Sequence, residues 1–447
     1  IGIFLGGRWA YVELGWAGYW AWDPVENSSL IPWLFTTSLL HALIVQGKIG
    51  HLKKTGLILS FLAFFFTYFG TFITRSGLIE SVHSFAQSQV GTSYLILLVI
   101  LFFSFFGLYF FRHRYILPAD EGKAWGMSKE SALILSQFLL LSFVTVVVLG
   151  TFYPFISEFI TGSRYDVQAP YYNSFAPYLG FAMIVAISLG TLLHYGKQQV
   201  KRTKKIILQS ILLALPFTAS FAHFGDVFSL SSGPRLYIQI LGIQLCFWSF
   251  FCLSSDLWQR FFLVKQKKLK RMLQKERAYI GAYLAHVACL IAILGFLGNY
   301  RGLEETTTLY KGQKIDFYGY EISFAGMMEI EEENTILHTA NLKLRKNNKN
   351  EGYLLPARAK YPTKDDLVHE VGIKSHFWHD LYAVLADFDT KHGAYVTLQI
   401  HLNPTVRLVW MAGLLMFIGG LLASSHRVRT PNQTKQSEVL SASSKRF

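Results

Sequence analysis

About ten long apolar runs dominate this chain, at roughly 1 to 15, 29 to 47, 55 to 73, 93 to 111, 131 to 153, 174 to 195, 206 to 223, 235 to 255, 279 to 297 and 404 to 424. Most approach the roughly 20 residues that carry a helix across about 30 Å of hydrocarbon. No water is available there to satisfy backbone groups, so runs of this length must be helices. Charged residues make up only 16% of the chain, against roughly 25% in soluble domains, which excludes an ordinary soluble enzyme. The reading is an all-α polytopic membrane protein with about ten transmembrane helices. The first run, IGIFLGG onward, carries neither an initial Met nor a basic leader. It is expected to be a truncated helix, residues 1 to 15, of a longer protein.

Lys and Arg exceed Asp and Glu by 14. On a soluble chain that excess suggests nucleic acid; here it sorts by loop, and no nucleic-acid partner is implied. Lys48, Lys53 and Lys54, then Arg112, Arg114, Lys123 and Lys129, then Lys197 to Lys205, then the stretch before the ninth run and the tail 425 to 447 carry the basic residues. Those connections should be cytoplasmic. The loops 16 to 28, 74 to 92, 154 to 173 and 224 to 234 and the segment 299 to 403 then face the external side, in a bacterium the periplasm. Period-two alternation in Lys314–Tyr318, Asn341–Arg345 and Tyr395–Ile400 makes 299 to 403 a β-rich external domain. The run EIEEEN near Glu331 reads as a solvated loop, with an acidic docking patch as the other reading. Cys246, Cys252 and Cys289 lie inside apolar runs and offer neither a disulfide framework nor a zinc spacing.

The densest chemical signal is GWAGYWAWDPVENSSLIPW, with Trp16, Tyr19, Trp20, Trp22 and Trp33 crowded into the external loop 16 to 33. An interfacial aromatic belt is one reading, because Trp and Tyr favour the headgroup level. A belt needs no fixed glycines and no Asp-Pro-x-Glu sequel. A flat aromatic ligand, by contrast, needs stacking faces and close backbone approach. Asp23, Glu26 and Asn27 are placed to lock the loop through turn and helix-entry hydrogen bonds, with Pro24 stiffening it.

Two histidines lie inside spans. His41 is six residues from the end near Gly47, about 9 Å deep, and His286 is seven residues after residue 279, about 10 Å deep. They reach one level from helices running in opposite directions. Depth alone leaves two readings open: interhelical hydrogen bonding, or two axial imidazoles of a b-type haem. His376 and His379 have helical ligand spacing at best and no third partner, and His223 reads as an interfacial cap.

WAGYWAWD resembles the tryptophan-rich "WWD" signature of haem-handling membrane proteins, and DPVENSSLIPWL is similar to the CcmF-type haem-lyase family of cytochrome c maturation. GTFITRSGLIESVHSFA (70 to 86), YPFISEFITG with PYYNSFAP (153 to 177), FWHDLYAVL (377 to 385) and NPTVRLVWMAGLLMFIGG (403 to 420) are similar to that family in the same order. The resemblance implies an integral b haem held by His41 and His286. It also implies a substrate haem lying over Trp16, Tyr19, Trp20, Trp22 and Asp23 and ligated by His83, which by itself would pass for a solvated loop residue. Arg75 is a candidate partner for a haem propionate, with helix-end anchoring the alternative. The family's second external ligand lies upstream of the WWD loop, before this chain begins.

The activity so implied is addition of two CxxCH thiols of apocytochrome c across the haem vinyl groups, in a bacterial inner membrane. The implied partners are a haem chaperone, apocytochrome c and thiol-handling maturation subunits, with quinol a candidate electron donor. The substrate brings the nucleophiles, so no catalytic acid, base or nucleophile is expected of this chain. Rival readings are a sister form dedicated to multihaem nitrite reductase, a transporter relaying ions through midplane histidines, and a non-catalytic scaffold.

Overall fold

The computed structural model describes residues 1–77, 90–115, 126–194, 200–224, 233–259, 276–298, 303–362, 367–389 and 392–425. His83 lies outside the described residues. Ten α-helices occur among them: α1 (Gly2–Glu13), α2 (Pro24–Ile49), α3 (Lys53–Ser76), α4 (Val90–Arg112), α5 (Lys129–Thr161), α6 (Ala169–Leu192), α7 (Val200–Phe224), α8 (Pro234–Trp258), α9 (Arg277–Gly298) and α10 (Val406–Ser424). Nine of them, α2 to α10, are long and apolar enough to cross a membrane, so this is a multi-pass membrane protein. The 12 residues of α1 fall short of that length. Most helices extend past the ends of their apolar runs, because hydrogen bonding continues into the polar interface where the hydropathy signal stops. One such extension matters: α2 begins at Pro24, so the aromatic loop is shorter than 16 to 33 and Trp33, 41% exposed, lies on the helix.

Helices adjacent in the chain pack as neighbours along much of the bundle, and α2 also lies on α5 and α6 on α8. The tightest seam joins α9 to α10. A Cβ on Gly419 would sit 2.8 Å from the backbone nitrogen of Ala285, and one on Gly281 would collide with the backbone of Ala423. Lipid supplies no hydrophobic force between helices, so close backbone approach at small residues is what holds such a pair.

The C-terminal domain is a β-sandwich of ten strands among the described residues: β1 (Leu303–Tyr310), β2 (Lys314–Phe317), β3 (Tyr320–Glu332), β4 (Thr335–Lys346), β5 (Lys349–Leu354), β6 (Ala357–Lys360), β7 (Val368–Glu370), β8 (Gly372–Ser375), β9 (His379–Phe388) and β10 (Tyr395–Pro404). One sheet has the order β1-β10-β9-β8; the other runs β2-β3-β4-β6-β7, with β5 also on β4. Val396, Leu398, Ile400 and Leu402 of β10 point into the core with Leu381, Ala383 and Leu385 of β9 and Phe324, Leu342 and Leu344 of the facing sheet. Glu329 to Glu332 end β3, so the acidic run forms a solvent-facing hairpin with β4 rather than a loop.

Strand β9 is buried on both faces. Its outer residues Tyr382 and Val384 pack with Tyr11 of α1, Ala17 of the aromatic loop and Val406 of α10. The loop therefore lies between the bundle and the sandwich, on the same side of the membrane as the domain.

Candidate functional site

The aromatic loop between α1 and α2 is conformationally strained. Gly15, Ala17 and Trp22 all have left-handed backbones, with φ of 70°, 55° and 60°. Glycine accepts this freely, whereas for Ala and Trp it costs roughly 1 to 3 kcal/mol each and persists only where the surroundings over-determine it.

The surroundings at the α2 end are a complete capping box. The Asp23 carboxylate accepts from the Val25 N–H at 2.8 Å, and Glu26 reaches back to accept from the N–H groups of Asp23 and Ala21 at 3.2 and 2.8 Å. Asn27, fully buried, donates through Nδ2 to the Trp22 carbonyl at 3.0 Å and approaches Thr151 Oγ1 and the Tyr172 hydroxyl at 3.2 Å each. Trp22 is itself committed to the protein. Its ring stacks on Tyr172 with centroids 4.6 Å apart and planes 6° apart, and its Nε1–H donates to Asn173 Oδ1 at 3.0 Å. Tyr172 reaches this place by pressing on Gly150, where a Cβ would lie 2.6 Å from its ring. DPVEN and PYYN, quoted from two distant parts of the sequence, thus build one joint.

The five aromatics divide. Tyr19 stacks on Phe296 of α9 at 5.8 Å and meets Trp410 of α10 edge-on at 6.0 Å. Trp20 lies perpendicular to Trp22 at 6.1 Å. No ring stacks parallel to it among the described residues, and its buried Nε1 has no hydrogen-bond partner among them. Trp20 is therefore the loop aromatic whose ring and donor are least used by the protein. Trp16 is half-buried in the same loop.

At its other end the loop is held by the sandwich, through residues that sequence reasoning did not single out. Asn403, at the end of β10, donates to the Ala17 carbonyl at 2.8 Å and to the Tyr11 hydroxyl at 3.1 Å. Tyr11, fully buried, donates in turn to Asp380 Oδ2 at 3.2 Å. The signal was present in FWHDL and NPTVR, which contain Asp380 and Asn403, but its meaning depends on a contact across almost the whole chain.

Asp380 is 1% exposed. Burial, the largest cause, pushes its carboxyl above the usual carboxylate range, opposed by hydrogen bonds from Ser375 and Tyr11 and by Arg407 and Arg8. A raised folded pKa means that the contribution of Asp380 is full below the ordinary value of 3.8 and is lost as pH rises through the folded value. Asp380→Asn, neutral throughout, should gain stability relative to wild type as pH rises from the ordinary value of 3.8 through the raised folded one. Thermal melts of both proteins across that range check it, and a constant gap would contradict it.

The two transmembrane histidines share a second arrangement. Counted from the helix ends at Ile49 and Arg277, His41 and His286 lie about 12 and about 14 Å deep at 1.5 Å per residue, deeper than the apolar runs suggested and still matched. Each ring directs Nδ1 to the carbonyl four residues earlier, His41 to Thr37 and His286 to Ala282, both at 2.8 Å. That fixes the same tautomer in both, with Nδ1–H donating and Nε2 carrying the lone pair. The rings, 245 residues apart, lie within electrostatic reach of one another and of Lys129. No group of three or more His, Cys, Asp or Glu suited to a bare metal ion occurs among the described residues. A haem iron, already held by four porphyrin nitrogens, asks for only two such imidazoles, and this pair fits that need.

The other candidates are placed less tellingly. Arg75 sits in the last turn of α3, where a cation complements the helix dipole. His223 is in the last turn of α7 beside Phe224. The rings of His376 and His379 are 5.0 Å apart at the start of β9, and His379 Nε2 pairs with the Tyr320 hydroxyl at 2.8 Å.

Comparison with known proteins bears on this geometry. Residues 1–80 match the family model for cytochrome C assembly protein, and residues 301–404 match the CcmF C-terminal beta-sandwich. The chain is 30% identical to cytochrome c-type biogenesis protein CcmF of Pseudomonas fluorescens, over 98% of this chain and 65% of the relative. It is 32% identical to cytochrome c-type biogenesis protein NrfE of Haemophilus influenzae, over 95% of this chain and 64% of the relative. A solved structure of cytochrome c heme lyase CcmF superposes with a TM-score of 0.73 at 26% identity, covering 95% of this chain and 64% of that one. The chain thus spans a little under two thirds of the length of these relatives. With both segments matched and the superposition covering 95% of this chain, the chain belongs to the CcmF family of cytochrome c-type biogenesis proteins.

Proposed function

We propose that the protein is a haem lyase subunit of cytochrome c biogenesis, set in a bacterial inner membrane with its aromatic loop and β-sandwich in the periplasm. The observation that carries this reading is the matched imidazole pair His41 and His286, each with Nδ1 tied to its own helix and Nε2 left for a ligand. When bound there, a b haem supplies one-electron chemistry that keeps the iron of the substrate haem ferrous. The protein's own contribution is orientation. Trp20, with Trp16 in the same loop, offers aromatic surface to a flat substrate, Tyr19, Trp22 and Asp23 fix the loop that carries it, and His83 is the proposed axial ligand to the substrate haem. Arg75 at the external end of α3 is the proposed propionate partner.

The substrate's two thiols then meet a haem whose position and oxidation state are already set. Each sulfur bonds to one vinyl carbon and its hydrogen goes to the other, with no net redox change. This explains the lack of any need for a nucleophile or acid–base pair in this chain. The proposed partners are a haem chaperone, apocytochrome c and thiol-handling maturation subunits, with the sandwich as their docking surface and quinol as an electron donor. The NrfE relative, matched at 32% identity, favours a second reading in which the target is a multihaem cytochrome.

Trp20→Ala tests the proposal. Maturation of a reporter cytochrome, read by haem staining, should fall at least about tenfold, as expected for losing an aromatic contact of roughly 0.5 to 1.5 kcal/mol together with positioning. The integral haem bands of the purified protein should be unchanged. Normal maturation in this variant and in His83→Ala would count against the loop as the substrate site.

A further inference from the structure

We propose that Asn27 and Asn403 are paired positioning residues that suspend the tryptophan loop between the bundle and the β-sandwich, making the sandwich part of the haem-presenting site. The inference rests on the reading of the loop as the surface that presents substrate haem. It begins from backbone strain. The loop has two residues other than glycine in the left-handed region, Ala17 and Trp22, and each has its carbonyl held by the side-chain amide of a buried asparagine. Asn403 Nδ2 reaches the Ala17 oxygen at 2.8 Å, and Asn27 Nδ2 reaches the Trp22 oxygen at 3.0 Å. The two asparagines come from opposite sides: Asn27 from the first turns of α2, and Asn403 from the last strand of the sandwich.

Each asparagine is itself held. Asn27 is fully buried against Thr151 and Tyr172, and Asn403, 4% exposed, is tied to the Tyr11 hydroxyl and through it to Asp380. Buried amides leave a carbonyl partner only at the cost of an unsatisfied donor, so both clasps resist opening. Between the clasps lie Gly18, Tyr19, Trp20 and Ala21. Tyr19 is packed on Phe296 and Trp410, which leaves Trp20 as the residue whose orientation the two clasps determine. A stacking face is useful only if it is already in place when the ligand arrives, since ordering it on binding subtracts from affinity. The sandwich supplies this pre-ordering on one side, through Asn403 and through Tyr382 and Val384 of β9, which pack with Ala17.

The experiment uses the whole membrane protein in detergent, with ferric haem as the titrant and the integral haem bands as an internal reporter of folding. Asn403→Ala should raise the haem concentration for half-saturation of the external site about tenfold and speed hydrogen exchange of amides 15 to 22, leaving the integral bands unaltered. Ala17→Gly in that background should restore most of the affinity, because glycine needs no clasp to hold a left-handed backbone. Tyr11→Phe keeps the packing while removing one anchor of Asn403; it should move both readouts in the same direction by less, and it decides the matter if Asn403→Ala does not fold. Unchanged half-saturation and unchanged exchange in both variants would overturn the proposal. If wild type takes up no external haem, the reading of the loop as a haem surface fails, while the exchange data still decide whether the asparagines hold it.

Discussion

Purified His286→Ala is expected to lack the proposed integral haem, with the reduced-minus-oxidised difference expected of the wild-type protein falling to background. The physical ground is that a low-spin iron held by two imidazoles loses its binding when either is removed. His41→Ala should do the same, and the double variant should be no worse than either single one, since residues acting as a unit are not additive. The tautomer gives a sharper form of the test. Each imidazole is oriented by its own backbone carbonyl, Thr37 or Ala282, at 2.8 Å, so free imidazole added to His286→Ala should restore part of the bands. His223→Ala, in the last turn of α7, should leave them intact. A fully incorporated wild-type protein with no visible bands would end the case for this haem.

The second large effect concerns packing. Gly281→Leu is expected to destabilise the protein by about 3 kcal/mol or more, at or beyond the upper end for overpacking, because what the new side chain meets is the backbone of α10 at Ala423 and Gly419 rather than a yielding side chain. Helix α9 also carries His286, so chromophore loss should accompany the drop in melting temperature. Gly107→Leu is the matched control: nothing lies within 4 Å of its added Cβ, and in a lipid-facing position the change should be nearly neutral. Thermal melts in detergent of both variants distinguish a specific seam from general intolerance of bulk.

Much of this was legible in the sequence, and the reason differs from case to case. The spans follow from length and hydropathy, and β10 from its alternation. The helix entry at Asp23 follows from a local capping pattern, although the reading placed the start of α2 five residues late. His41 and His286 could be paired by depth because helix rise converts sequence distance to height. What the sequence did not disclose is long-range. Strand β9 shows no clear alternation because both of its faces are covered, one by the sandwich core and the other by α1 and the loop. Asn403 and Asp380 read as ordinary polar residues until Ala17 and Tyr11 are brought to them. The resemblance places Trp22 under the substrate haem, and the stacking of its ring on Tyr172 is a contact that no local pattern discloses. Pairings of this kind depend on topology, which local pattern does not carry.

Thr405 closes the picture in mechanical terms. The last strand of the sandwich passes into α10 through this single residue, with no linker between them. Its N–H donates to the Trp378 carbonyl at 2.6 Å and its hydroxyl to the Gly295 carbonyl of α9 at 3.0 Å. A hinge needs a few residues free to absorb changes in φ and ψ; this junction has one, and its polar groups are already spent. The sandwich at this point is a crank welded to its shaft. The sandwich, α10 and, across the glycine seam, the helix that carries His286 are thereby joined without a flexible segment at Thr405.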